Sequence, residues 1–287
     1  MAINLSKVNY SYFYPKKNIP PKYILKDINF TIDSKDEFIM LLGESGAGKS
    51  TLVQLFNGLL LTNDGDVLVF DKRLSNDKKI KLKDTRKKVG LVFQFPEYQL
   101  FEENVLKDVA FGPKNFKMDN PIELAKEALS MVGLDESFYE RSPFTLSGGQ
   151  MRKVAIAGIL ASNPDILVFD EPTVGLDPIA KKELLELLVK LNEEYHKTII
   201  FITHDMDVVG YVGKRILVLN DGSIVFDGTK DELFKNENLM EKYSIDYPNT
   251  VKMLRKVKCK FNVELDELKY TIDDVYLELE KVFGNEQ

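Results

Sequence analysis

At 287 residues the chain is long enough to bury one full core and carry a small appendage. Its 39 Lys+Arg against 45 Asp+Glu give a net charge of −6, which argues against nucleic acid, a partner that needs clustered positive charge. There is no apolar run of roughly 18 residues, the first residues lack the apolar centre of a secretory signal, and Cys259 stands alone; a cytosolic chain without a membrane span or internal disulfide is expected.

The chain opens with strand-like alternation at Ile3, Leu5, Val8, Tyr10 and Tyr12. A proline-rich connection over residues 14–22 leads to a second alternating stretch at 24–32. FIMLLG, residues 38–43, is a continuous apolar run of the kind a buried strand needs; a glycine-rich turn and a helical pattern over 49–60 follow. Further strands are predicted at 65–70, 89–93, 166–169, 198–202, 215–219 and 223–226. Helices are predicted near 104–111, 122–132, 150–162 and 179–195. Apolar strands alternating with helices imply an α/β fold around a parallel sheet covered on both faces, and the early strands imply an added antiparallel layer. Residues 94–149 carry no clear strand and read as a helical insertion. After about Asn236 the pattern changes to two short amphipathic helices, 249–257 and 272–283, carrying Val251, Leu254, Val257 and then Val275, Leu279, Val282.

GESGAGKST, residues 43–51, lies between a strand and a helix with the spacing G-x-x-x-x-G-K-[ST] of a phosphate-binding loop. Gly43, Gly46 and Gly48 allow backbone turns that aim the N–H groups of Glu44, Ser45, Ala47 and their neighbours at phosphate oxygens, and the helix through Thr51 adds its positive end. Lys49 is expected to neutralise the outer phosphates, and Ser50 to offer its hydroxyl to Mg²⁺. This motif leaves kinase, GTPase and ATPase open. ILVFDE, residues 166–171, narrows the choice: a buried strand delivers Asp170, suited to Mg²⁺ through water, and Glu171, suited to polarising an attacking water. The bland alternative is an exposed turn closed by Pro172.

TLSGGQMRKVAIAGILAS, residues 145–162, starts a helix at Ser147, with Gln150 completing a capping box. That explains neither Gly148 nor Gly149, each costing a helix about 1 kcal/mol relative to alanine. Arg152 and Lys153 also place positive charge near the positive helix end. Docking of an anion would account for all four choices.

These motifs, with GLD at 175–177 and the histidine of ITHD at 202–205, resemble the ATP-binding cassette (ABC) ATPases over roughly residues 3–234. The resemblance implies a P-loop core sheet, an antiparallel β subdomain and a helical subdomain at about 95–160 within a nucleotide-binding domain of residues 1–235. It further implies that Ser147, Gly148, Gly149 and Gln150 contact the γ-phosphate held by an opposite subunit, so that two cassettes sandwich two ATP molecules. Gln94 takes the Q-loop position, touching Mg²⁺ and reporting to a membrane partner. Asp177 takes the D-loop position, with a helix N-terminal acid as its plain alternative. His204 resembles the switch histidine that holds the γ-phosphate and orients Glu171, and Tyr12 the aromatic stacked on adenine, with Tyr10 and Tyr14 as alternatives. Asp36 stands where many relatives have glycine.

Residues 93–116 and the tail, 247–262 with 270–283, resemble the ATPases of energy-coupling factor transporters, most of all the second of their two paralogous subunits. Implied are a translocase importing vitamins (cobalt or nickel in a sister branch), a second homologous ATPase, a membrane coupling protein and an interchangeable membrane substrate-binding protein. Residues 236–287 become a dimer-stabilising extension, and the location the cytoplasmic face of the cell membrane. A soluble ABC ATPase of DNA repair or translation is the rival, and this single cassette lacks the long coiled coil such proteins carry. Glu97, Glu102 and Glu103, bordered by Phe95, Tyr98, Leu100 and Phe101, are expected to form an acidic patch receiving an arginine-bearing helix.

Overall fold

The computed structural model describes residues 1–13, 21–33, 36–74 and 81–284. Tyr14, Ser34 and most of the proline-rich connection lie outside them. The first elements are β1 (Ile3–Tyr10), β2 (Leu25–Ile32), β3 (Phe38–Leu42), α1 (Lys49–Phe56), β4 (Asp64–Val69) and β5 (Lys72–Arg73). Next come α2 (Lys83–Lys88), β6 (Val89–Val92), a 3-10 turn (Pro96–Gln99), α3 (Val105–Phe116), α4 (Pro121–Met131) and α5 (Gly148–Leu160). The series β7 (Ile166–Asp170), α6 (Pro178–Glu193), β8 (Thr198–Ile202), α7 (Met206–Val212), β9 (Arg215–Asn220), β10 (Ser223–Thr229) closes the sheet. The helices α8 (Lys230–Lys235), α9 (Glu237–Lys242), α10 (Asn249–Phe261) and α11 (Ile272–Phe283) follow.

Two sheets form. The smaller is antiparallel in the order β2-β1-β4-β5, as the alternating early strands require. The larger has the order β10-β9-β3-β8-β7-β6. It is parallel from β9 to β6, while β10 returns antiparallel to β9. That last strand departs from the parallel expectation for a local reason: Asp221 (φ 44°) and Gly222 (φ 79°) form a tight turn, and two residues cannot hold a parallel crossover.

Burial explains the unbroken apolar strands. Phe38, Met40 and Leu42 of β3 enter the core beneath the helices, with Phe169, Val109, Ile156 and Leu188. Ile39 and Leu41 enter a second core shared with α1 and the antiparallel sheet, beside Ile3, Ile28, Leu52 and Phe56. With water excluded from both faces, every position of the strand is apolar. The helices at 206–212, 230–235 and 237–242 are too short for a periodic signal and were not expected from sequence.

This topology sets up the site. Strands β3, β8, β7 and β6 are consecutive neighbours and all run parallel in one direction. Their carboxyl ends therefore gather the segments that follow: residues 43–51, then His204, then Asp170 and Glu171, then Gln94. Open α/β sheets bind ligands at that edge.

Candidate functional site

Residues 43–48 wrap between β3 and α1, with positive φ at Gly43 (146°), Gly46 (82°) and Gly48 (104°). A Cβ at Gly43 would fall 2.1 Å from the Leu219 carbonyl oxygen, and one at Gly48 2.9 Å from Leu25 Cδ2. Only glycine fits those turns. The Lys49 ammonium donates to the carbonyls of Gly43 (2.7 Å) and Glu44 (2.9 Å), so the loop closes around a cation. Burial pushes the Lys49 amine below its usual range, and the carboxylates of Glu171 and Asp170 pull against that shift. The strand-end acids and the loop lysine thus share one electrostatic environment. Ser50 is exposed and Thr51 buried on the first turn of α1.

Glu171 has φ 50°, a strained conformation for a non-glycine residue, fixed by its N–H donating to Ile202 on β8 (3.1 Å). Its Oε1 accepts from His204 Nδ1–H at 3.0 Å, while Oε2 is buried with no hydrogen-bond partner. An orphaned acceptor of that kind is costly unless something binds it. His204 is three-quarters exposed, its ring held on the solvent side of Glu171. Behind it, Asp205 caps α7 through the N–H groups of Asp207 and Val208 and pairs with Lys181 at 2.5 Å.

The Tyr12 hydroxyl lies 2.9 Å from Thr51 Oγ1 and its ring packs edge-on against Tyr10, centroids 5.0 Å apart. Tyr12 is 53% exposed and Tyr10 only 7%, so of these two Tyr12 offers a face beside the loop. Gln94 is exposed just beyond β6, ahead of Phe95, whose φ of 56° turns the chain into the 3-10 segment.

Ser147 caps α5 and forms the expected reciprocal box with Gln150, at 3.1 and 3.3 Å. Gly148 and Gly149 have ordinary helical φ, and a Cβ on either would meet nothing within 4 Å. Nothing among the described residues requires glycine at these positions. The groove they border is lined by Val132, Ile156, Asp177, Ala180 and Leu187 among others, and by no residue of the 43–51 loop. Asp177 caps α6, accepting from Ile179 (2.9 Å) and Ala180 (3.0 Å), its plain alternative role.

Two charge expectations are corrected. Arg152 does not face an incoming anion: it is 5% exposed and paired with both Glu97 oxygens (3.0 and 3.2 Å) and the carbonyls of Pro172 and Val174 (2.8 and 3.1 Å). Glu97 is thereby removed from the acidic patch, Glu103 is bound by Lys107 at 2.6 Å, and Lys153 pairs with Glu183 at 2.8 Å. The pairing of Arg152 with a residue 55 positions away leaves no local mark in the sequence.

Comparison with known proteins shows the family. The ABC transporter family profile matches residues 25–174. The chain is 41% identical over 285 residues to the energy-coupling factor transporter ATP-binding protein EcfA2 of Bacillus cereus, covering 98% of this chain and 96% of that one. It is 43% identical over 267 residues to the protein of the same name from Clostridium perfringens, covering 92% of each. This chain belongs to the ABC transporter family, in its energy-coupling factor ATPase branch. Among solved structures, cbiO1 from Clostridium perfringens, described as part of the ABC transporter complex cbiONQ, aligns with a TM-score of 0.74 at 33% identity, over 91% of this chain and 99% of that one. A dimeric ATP-binding cassette in a post-hydrolysis state with ADP and Pi aligns with a TM-score of 0.68 at 34% identity, over 79% of this chain and 98% of that one. The fold is the ABC cassette and the activity that of a transport ATPase, a translocase that binds ATP and works with membrane components. No helix among the described residues is long and apolar enough to cross a membrane.

Proposed function

We propose that this ABC ATPase hydrolyses ATP between two cassettes, with residues 43–51 of one chain and Ser147–Gln150 of the other gripping the same nucleotide, and that its turnover drives vitamin or related micronutrient uptake. The observation that carries the catalytic half is the cluster at the strand ends: the Glu171–His204 pair, with Glu171 Oε2 buried and unpartnered, in the field of Lys49. Gly148 and Gly149 support the second half, since they leave open a surface that nothing in their own chain fills.

In this reading the loop N–H groups and the Lys49 ammonium bind the β- and γ-phosphates, while Tyr12 stacks on adenine. The groups that would hold Mg²⁺ are the Ser50 hydroxyl, the Gln94 amide and, through water, the Asp170 carboxylate; the ion would neutralise phosphate charge. Among the described residues no three His, Cys, Asp or Glu side chains converge, which suits an ion whose other ligands are phosphates and water. Glu171 orients and polarises the attacking water through Oε2; His204, donating to Oε1, keeps the carboxylate turned toward it and reaches the γ-phosphate from its exposed side. Asp177 lies across the seam from the partner cassette. The partners proposed are a second homologous ATPase, in a heterodimer, a transmembrane coupling protein near Gln94 and the exposed Tyr98 and Phe101, and an interchangeable membrane substrate-binding protein. Residues 236–287 form the C-terminal extension, the chain acting at the cytoplasmic membrane face.

The test is Glu171→Gln in the assembled transporter. Turnover is expected to fall at least 100-fold, the scale on which a positioned base contributes, while ATP binding persists and holds the two cassettes together. Hydrolysis at the parental rate would remove Glu171 from the mechanism, and cassettes that stay apart with ATP bound would remove the sandwich.

A further inference from the structure

The C-terminal segment is tied to the helix that carries the candidate switch histidine. α7 begins two residues after His204, and α10 packs against it. Asp207, in the first turn of α7, reaches across to the start of α10: Oδ1 accepts from the Asn249 backbone N–H and Oδ2 from its side-chain amide, both at 2.6 Å. A carboxylate from one helix therefore caps another, where unpaired N–H groups and the helix dipole favour negative charge. Gly210, one turn further along α7, is buried against the same segment; a Cβ there would lie 3.1 Å from both Pro248 Cγ and Tyr270 Cδ1. Its carbonyl accepts from Lys230 Nζ (2.7 Å), which sits over the Tyr270 ring at 4.4 Å, and the Tyr270 hydroxyl donates to Asp231 at 2.6 Å. Phe234 completes the joint, its ring 5.8 Å from Tyr270 and 6.1 Å from Tyr247.

We infer that the Asp207–Asn249 contact is a positioning latch through which the C-terminal segment sets α7, and hence His204, against Glu171. The inference rests on the proposed roles of Glu171 and His204. The physical reason is leverage. His204 is three-quarters exposed, and among the described residues its side chain is held by the hydrogen bond to Glu171, so its placement follows that of the short helix behind it. A seven-residue helix has little stability of its own and takes its orientation from what it packs on. Asp205 and Lys181 hold its front, and Asp207 with Asn249 holds the side facing the C-terminal segment. The Asp207 carboxylate bonds to Asn249 and reaches neither Glu171 nor the phosphate loop, so it acts through α7.

The contact can be inverted without losing either hydrogen bond. With Asp207→Asn and Asn249→Asp together, the new amide donates to the new carboxylate and its oxygen still accepts from the residue 249 N–H. Asp207→Asn alone takes the negative charge away from the start of α10 and leaves at best a neutral amide–amide hydrogen bond in place of the charged one. In the assembled, full-length transporter we expect Asp207→Asn and Asp207→Ala to lower kcat about tenfold with KM for ATP nearly unchanged, since a displaced positioning group is felt in the chemical step. The double exchange is expected to restore kcat. Single variants that turn over like the parent would overturn the inference, and so would a loss that the exchange leaves unrepaired, which would assign the effect to Asp207 itself. Thermal unfolding of each variant separates a misplaced His204 from a chain that has come apart. Glu171→Gln, run alongside, keeps the two claims distinct: if it still hydrolyses ATP the catalytic reading fails, and if it is inert while Asp207→Asn is normal only the latch fails.

Discussion

Glu97→Ala removes one half of a buried ion pair, and its cost follows from what remains around Arg152. The pair is close to solvent-free, with side chains 6% and 14% exposed, and both carboxylate oxygens receive guanidinium N–H groups. Deleting one partner of such a pair generally costs about 3–5 kcal/mol, because the survivor is left charged in a poorly solvated place. Arg152 would keep its hydrogen bonds to Pro172 and Val174, which places the cost near the lower end, about 3 kcal/mol. At about 2.1 cal/mol/K of unfolding entropy per residue, 287 residues give about 0.6 kcal/mol per degree, so the melting temperature should fall by about 5 °C. Glu97→Gln keeps an acceptor and loses the charge, and should fall by about half as much. Replacing both residues by Leu and Met would not be harmless, since the Pro172 and Val174 carbonyls would then lose their donor. Calorimetry and urea unfolding of the purified chain measure these shifts. A Glu97→Ala chain that melts within a degree of the parent would show that the pair contributes nothing net, and the argument from burial would be wrong.

Gly148→Ala and Gly149→Ala should leave the isolated chain as stable as before or raise its stability by up to about 1 kcal/mol, since both positions have ordinary φ and free space. ATP turnover should nevertheless drop at least tenfold in the assembled transporter, where the proposed sandwich puts a phosphate against that surface. Unfolding curves and ATPase rates on the same preparations check both halves. Gly43→Ala should behave in the opposite manner, costing about 1–3 kcal/mol in stability as well as nucleotide affinity, because its φ of 146° and the Leu219 carbonyl at 2.1 Å forbid a side chain; denaturation and fluorescent-nucleotide titration report the two losses. For Asp205, burial pushes the carboxyl up, but Lys181 and the N–H groups of Val208 and Asp207 more than reverse this and leave it below its ordinary value of 3.8. Its contribution to stability is thus full above that value and lost on acidification through the lower folded one. Asp205→Asn should be less stable at neutral pH and flatter in the acid limb of a stability–pH curve.

How much of this was legible in the sequence depended on whether the cause was local. The loop at 43–51 could be read because glycine at three positions and the Lys-Ser pair are demanded by the backbone turns and the phosphate chemistry within nine residues. The strands of the central sheet could be read because burial on both faces leaves no polar position between Phe38 and Leu42 or between Ile166 and Phe169. The reversed edge strand was signalled by Asp221-Gly222, a dipeptide that permits positive φ twice, yet strand assignment by hydropathy is blind to direction. Arg152 was misread for the opposite reason. Near a helix start its charge looks aimed at an outside anion, but its partner Glu97 comes from a segment brought close only by the fold. The same limit hid the Asp207–Asn249 cap: the two residues stand 42 positions apart and each resembles an ordinary surface residue.

The capping box at Ser147 and the cap at Asp177 show why confirming a local role does not exhaust a residue. Both side chains do what helix ends ordinarily ask, and for Ser147 and Gln150 that alone accounts for their presence. The two glycines between them are different. A helix start with free space and standard backbone angles would be better served by almost any other residue, and among the described residues no contact repays the difference. The proposed sandwich supplies a reason for the glycines: a nucleotide approaching closely from outside. The groove they border contains none of the phosphate loop of the same chain, and the proposed second cassette would bring its own phosphate to it. In the proposed sandwich one chain accordingly carries two different half-sites, at the ends of the core strands and at the start of α5, and hydrolysis would require this cassette to meet a second one.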